Sequence, residues 1–242
     1  MDIGTPKNKN FYFGFGLGVD SFAFELSGED YDLTGHVTDF SIHPELAFRP
    51  EPENDNVVHG LFAVGMNGNF SIDSLGPVYG VYEKDGDTYT INDDDGMDFS
   101  FQGGGAFLNL GFRVTISEKV TMGFYVLGDF QLGMAHLAPS ESVTDKFRDD
   151  AHNVHKKSIK DLEGENPGDA ILQWQRIDEH IDTFSQGKDS FLFFAKVGGG
   201  MFLEGRYVGV MVRGFANLYP DGLVDELQMQ GGGVQAIVYA PF

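Results

Sequence analysis

Apolar residues alternate with small or polar ones through eight separate segments of this chain, and the links between those segments alternate strictly between short and long. A period of two is the mark of a strand whose two faces meet different surroundings. If successive strands run antiparallel, alternating link lengths gather the short turns at one end and the long links at the other. The first segment sets Phe11, Phe13, Phe15, Leu17 and Val19 against Tyr12, Gly14, Gly16, Gly18 and Asp20. The same phase recurs over 40–48, 58–70, 106–114, 120–132, 191–203, 208–218 and 234–242. The short links are 50–56, 117–119 and 204–206, and the long ones are 20–34, 73–98, 136–188 and 219–230. An even number of strands joined in this way predicts an all-β fold, an eight-stranded antiparallel up-and-down barrel, with 1–242 as a single domain.

Charge decides which face of such a barrel points outward. The less apolar face carries Glu45, Arg113, Asp129, Lys196, Glu204 and Arg213, three acids and three bases that balance one another inside a narrow lumen. The opposite face holds Phe, Leu, Val, Met and Ala, with no Lys, Glu or Asp in the middle of any segment, which reads as a lipid-facing band. Most of the formal charge of −21 lies elsewhere. The four long links carry net negative charges of 5, 7, 4 and 3, so one end of the barrel is strongly acidic. A chain this acidic has no basic surface for the phosphates of a nucleic acid. The absence of Cys excludes disulfides and thiolate metal sites. No run of 18 apolar residues predicts a spanning helix. The first residues show no basic and apolar leader pattern, so any export signal is expected to have been removed.

This combination resembles the eight-stranded outer-membrane β-barrels of bacteria, the group that includes OmpA, OmpX and OmpW. The resemblance rests on the turn and loop alternation, the outward apolar phase, the 33 glycines and 23 phenylalanines, and a last segment of Val234, Ala236, Val238, Ala240 and terminal Phe242. Ala240, Pro241 and the length of the third long link depart from the family's pattern. The resemblance implies a transmembrane barrel in the bacterial outer membrane, with outer-membrane lipids around it, periplasmic termini and extracellular long loops.

The third long link changes period. Val143, Phe147, Ala151, Val154 and Leu162, then Ile171, Trp174, Ile177, Ile181 and Phe184, recur at spacings of three and four. They predict two amphipathic helices, a hairpin within an insertion of residues 137–187, with Asp169 capping the second helix and Trp174 in the seam. Within the hairpin Asp149, His152 and His155, joined by His180, have spacings that suit a metal ion. Histidine pairs three apart are common on acidic exposed helices without metal, so none is expected. The acids Asp85, Asp87, Asp93, Asp94 and Asp95 read as a solvated loop rather than a calcium site, since no Glu closes the required spacing. Neither His136 with Ser140 and Ser142 nor His43 with Ser41 comes with an orienting acid and oxyanion donors, so catalysis is not expected.

Eight strands enclose room for side chains or one small ligand, not for a wide water pore. Tyr12, Phe107, Tyr125, Phe202, Met211 and Phe215 bring bulk to the inner face and either fill the gaps left by glycines or line an apolar pocket. The sequence therefore predicts a monomeric, non-enzymatic barrel with a structural or surface-interaction role, meeting an extracellular ligand or protein through its loops and needing no cofactor. The other readings are a narrow channel or binding barrel for a small hydrophobic solute and, third, a lipid-modifying membrane enzyme.

Overall fold

The computed structural model describes residues 10–27, 31–51, 57–84, 87–93, 96–117, 119–219 and 227–242. Its strands are β1 (Phe11–Ser27), β2 (Tyr31–Phe48), β3 (Val58–Leu75), β4 (Val78–Lys84), β5 (Asp87–Asp93), β6 (Met97–Ser117), β7 (Val120–Pro139), β8 (Lys188–Glu204), β9 (Gly209–Leu218) and β10 (Leu227–Pro241), with helices α1 (Glu141–Glu165) and α2 (Pro167–Ser185) between β7 and β8. Eight of the strands pair antiparallel in the order β1-β10-β9-β8-β7-β6-β3-β2, and pairing of β1 with β2 closes the barrel. Closure gives each of these eight strands a partner on both sides. Phe11 and Phe242 exchange both backbone hydrogen bonds, at 3.0 and 2.8 Å, so the two ends of the barrel chain meet beside the short turns.

The strands are longer than their apolar segments. β1 continues past Val19 to Ser27, β6 begins at Met97 rather than near residue 106, and the second long link contains the β4–β5 hairpin, which extends β2. The first two long links are thus mostly strand among the described residues, a correction with a clear cause. Along β1 the outward residues run Phe11, Phe13, Phe15, Leu17, Val19, then Ser21, Ala23 and Glu25, while the buried ones run Tyr12, Gly14, Gly16, Gly18, Asp20, then Phe22, Phe24 and Leu26. The period never breaks; its polarity inverts near Asp20.

Below the inversion the outer face is a belt of exposed apolar side chains that includes Phe15, Leu46, Phe62, Leu110, Val126, Val197, Val212 and Val238. At ~3.3 Å per residue and a tilt of ~40°, a run such as 11–19 rises about 20 Å and one such as 191–203 about 30 Å, which brackets the ~25 Å apolar band of membrane barrels. Above it Phe22, Phe24, Leu33, Val37, Phe99, Phe101, Leu192 and Phe194 turn inward and form one apolar core with Val143, Phe147, Ile159, Ile177, Ile181 and Phe184 of the helices.

The hairpin therefore caps the barrel mouth. Ser140 starts α1 by accepting a hydrogen bond from the Val143 N–H at 3.4 Å. The N-cap of α2 is Asn166, not Asp169, which lies in the first turn and accepts a 2.7 Å hydrogen bond from Asn166 Nδ2. Gly187, at φ +63°, ends α2 in the left-handed conformation that a Cβ disfavours and turns the chain into β8. Phe147 meets Phe184 with tilted rings at 4.9 Å and Trp174 meets His152 edge-on at 4.7 Å, both in the seam between the helices. Ile171 departs from the expected stripe and is 58% exposed beside Leu172.

Candidate functional site

The inner face of the barrel is stratified by height, because each strand contributes one inward residue in two and the register lines these up in rings. At the short-turn end Arg49 pairs with Glu204 and lies 5.2 to 5.6 Å from the ring centroids of Phe202, Tyr12 and Tyr239. Arg113 Nη2 donates to the Pro50 carbonyl at 3.1 Å. Next comes an apolar layer in which Tyr12, Phe107, Tyr125, Phe202 and Met211 pack with Leu61, Leu127, Ile237 and Tyr239, and which Phe215 continues past Arg213 on β9. The six bulky residues are each at most 8% exposed. The Tyr125 hydroxyl lies 3.1 Å from Met211 Sδ, and a Cβ at Gly123 would run into the Phe202 ring. The apolar side chains and the glycines fit one another, and the side chains themselves fill this layer.

A polar layer follows. Glu45 and Arg213 form an ion pair at 3.0 Å with both side chains fully buried. Arg213 Nε donates to Gln235 Oε1 at 2.5 Å, Gln235 Nε2 lies 3.0 Å from His43 Nε2, and His43 Nε2 lies 2.8 Å from Ser41 Oγ. Asp129 accepts hydrogen bonds from Asn67 Nδ2 at 2.8 Å and Gln131 Nε2 at 2.7 Å. Lys196, opposite Asp129 in the β7–β8 register, donates from Nζ to Asp20 Oδ2 at 3.1 Å and sits 4.3 Å from the Phe215 ring centroid. The six charged residues named from the sequence thus fall into separate contacts. Glu204 and Arg113 lie at the turn end, while deeper in the barrel Glu45 pairs with Arg213, Asp129 is held by Asn67 and Gln131, and Lys196 turns to Asp20.

Sequence reasoning passed over Asp20 and Asp39 as partners of this layer, Arg49 as the mate of Glu204, and Gln235 as the link between Arg213 and His43. Parity alone carried the signal, since Asp39 within β2 and Arg49 just past its end continue the buried series Ser41, His43, Glu45 and Ala47 in both directions.

The candidate chemical pairs are held in other contacts. His136 Nδ1 lies 2.8 Å from Asp189 Oδ1, while Ser140 Oγ lies 2.9 Å from Ser142 Oγ. Ser41 and His43 do touch, but the side chain that meets both imidazole nitrogens is Gln235 rather than a carboxylate, in a packed interior. His152 Nε2 faces Asp178 at 3.3 Å and His155 is buried, while the His180 side chain lies outside what is described. The acidic group of Asp85, Asp87, Asp93, Asp94 and Asp95 likewise falls at residues or side chains outside the description.

No protein-family model and no curated protein matches this chain. Among solved structures it is similar to the attachment invasion locus protein Ail of Yersinia pestis, at 10% identity and TM-score 0.35 over 95% of this chain and 97% of that one. It is also similar to Neisserial surface protein A, at 11% identity and TM-score 0.39 over 98% and 99%. The toluene transporter TbuX of Ralstonia pickettii gives 8% identity and TM-score 0.21 over 96% and 90%. TM-scores this low carry no argument, and the architecture rests on the strand pairing of the chain itself.

Proposed function

We propose that the chain is an integral barrel of the bacterial outer membrane, non-enzymatic and monomeric, whose role is structural or is played at the surface by its acidic loops and helical hairpin. The observation that carries this reading is the continuous belt of exposed phenylalanines, leucines and valines around a closed barrel that is polar inside at the same level. Transferring that much apolar surface out of water is strongly favourable at ~25 cal/mol per Å2, and lipid is the surrounding that accepts it on every side. The short turns and both ends of the barrel chain lie at one rim, which suits the periplasmic side; the hairpin and acidic links then face outward. Two packed apolar layers, one at each side of the polar layer, support a sealed lumen over a conduit.

The first test is insertion and conductance. The refolded chain is expected to enter lipid vesicles, to migrate differently in gels when unheated, and to leave a planar bilayer silent. A chain lacking 140–187 is expected to insert as well and to lose whatever surface partner the whole chain binds. A protein that stays in solution without detergent denies the membrane reading, and steady conductance by the whole chain replaces the surface role with transport.

A further inference from the structure

Above the Glu45–Arg213 pair, four buried side chains with unpartnered oxygens line one void. Asp20, Asp39, Asn69 and Asn217 all line a cavity of about 10 Å3. Asp20 Oδ1, Asp39 Oδ1, Asn69 Oδ1 and Asn217 Oδ1 accept no hydrogen bond from any described residue. Each of these residues is at most 5% exposed, so bulk water does not reach them. Buried polar atoms are satisfied in all but a few cases, and four orphans of one kind around one space call for a common partner.

The partner must donate hydrogen bonds or carry positive charge, because all four atoms are acceptors. One water fills a void of this size but offers only two donors to four oxygens. Charge points the same way. Among the described residues of the polar layer, the carboxylates of Asp20, Asp39, Glu45 and Asp129 outnumber the cations Lys196 and Arg213 by two, beside the imidazole of His43. Lys196 is already committed to Asp20 Oδ2 and to the faces of Phe215 and Phe194. An uncompensated negative charge in a buried layer is costly, whereas a small cation in the void these four residues line would offset it.

We propose that this void is a binding site for a hard, oxygen-seeking cation of sodium or calcium size, held by two carboxylates and two amide oxygens in the barrel wall. Carboxylate and amide oxygens are the donors such ions prefer, and affinity follows the number of ligand charges. The ion ties β1, β2, β3 and β9 together at the height where the barrel leaves its apolar belt.

The test is the thermal unfolding of the refolded full chain in sodium chloride against choline chloride at matched ionic strength, and with calcium chloride added to choline. A saturable rise in melting temperature with sodium or calcium over choline is expected, because an ion that binds only the folded chain stabilises it by mass action. Asp39→Asn removes one ligand charge and is expected to weaken the apparent affinity about tenfold, while Asn217→Asp adds one and is expected to strengthen the calcium response about tenfold. If Asp39→Asn fails to fold, the opposite shift in Asn217→Asp carries the test. A wild-type chain equally stable in choline overturns the proposal and means that the amides turn their NH2 groups onto the carboxylates. An ion response that both variants share unchanged with the wild type also overturns it, and places the ion on the acidic loops.

Discussion

The lower and upper halves of this barrel obey the same alternation and opposite rules of burial. In the lower half Phe13, Phe15 and Leu17 of β1 face out and Gly14, Gly16 and Gly18 face in; in the upper half Ala23 and Glu25 face out and Phe22 and Phe24 face in. The upper half is thus built as a soluble β protein is, with an apolar interior closed by a pair of helices. The lower half is built the other way, with its charges inside. Strand geometry is indifferent to which face is apolar, so the surrounding medium alone selects the sign. The level at which the sign changes marks where the chain leaves the proposed bilayer.

The comparison breaks hardest at the two interiors, which differ in chemistry but are equally intolerant. Replacing Arg213 by Met strands the Glu45 carboxylate in the lower interior and is expected to cost about 3–5 kcal/mol of unfolding free energy, read by urea titration in lipid vesicles. Adding Glu45→Gln to that variant is expected to restore most of the loss. In the upper interior Phe99→Ala removes the ring that meets Phe22 at 4.7 Å and is expected to cost about 3–5 kcal/mol through the cavity it leaves. That loss is the same in detergent and in lipid, because no lipid touches Phe99.

The outer faces separate the halves more sharply. Val126→Arg, in the middle of the belt, is expected to cost about 2–4 kcal/mol in lipid, whereas Glu25→Arg on the upper wall is expected to stay within about 0.5 kcal/mol. Equal costs at the two positions would erase the distinction between the halves. Smallest of all is Leu172→Ser on the exposed face of α2, expected to leave stability within about 0.5 kcal/mol. It bears on function instead, since a partner that docks on Ile171 and Leu172 would be lost while the melting temperature holds.

Much of the lower half was legible in the sequence. The phases of all eight segments, the inward direction of Glu45, Arg113, Asp129, Lys196 and Arg213, and the helical hairpin follow from periods of two and 3.6 that local geometry imposes. The upper wall was not legible as strand, because an inverted polarity between Asp20 and Ser27 looks like a break when the phase is followed by its apolar members. Which inward charges meet was hidden as well. Glu45 sits on β2 and Arg213 on β9, and Lys196 on β8 reaches Asp20 on β1. Neither pair lies on adjacent strands, and only closure of the barrel brings them across the lumen.

The sequence by itself determined the count of strands that close the barrel, the sidedness of their apolar segments and the division into a short-turn end and a long-link end, because these depend on residues two apart or on link lengths along one chain. The tertiary structure alone decided the height of each inward residue, the pairing of Arg49 with Glu204, the capping of the mouth by the hairpin, and the meeting of Asp20, Asp39, Asn69 and Asn217 around one void. Those depend on register and closure, which set distances between residues far apart in the chain and leave no trace in any local period.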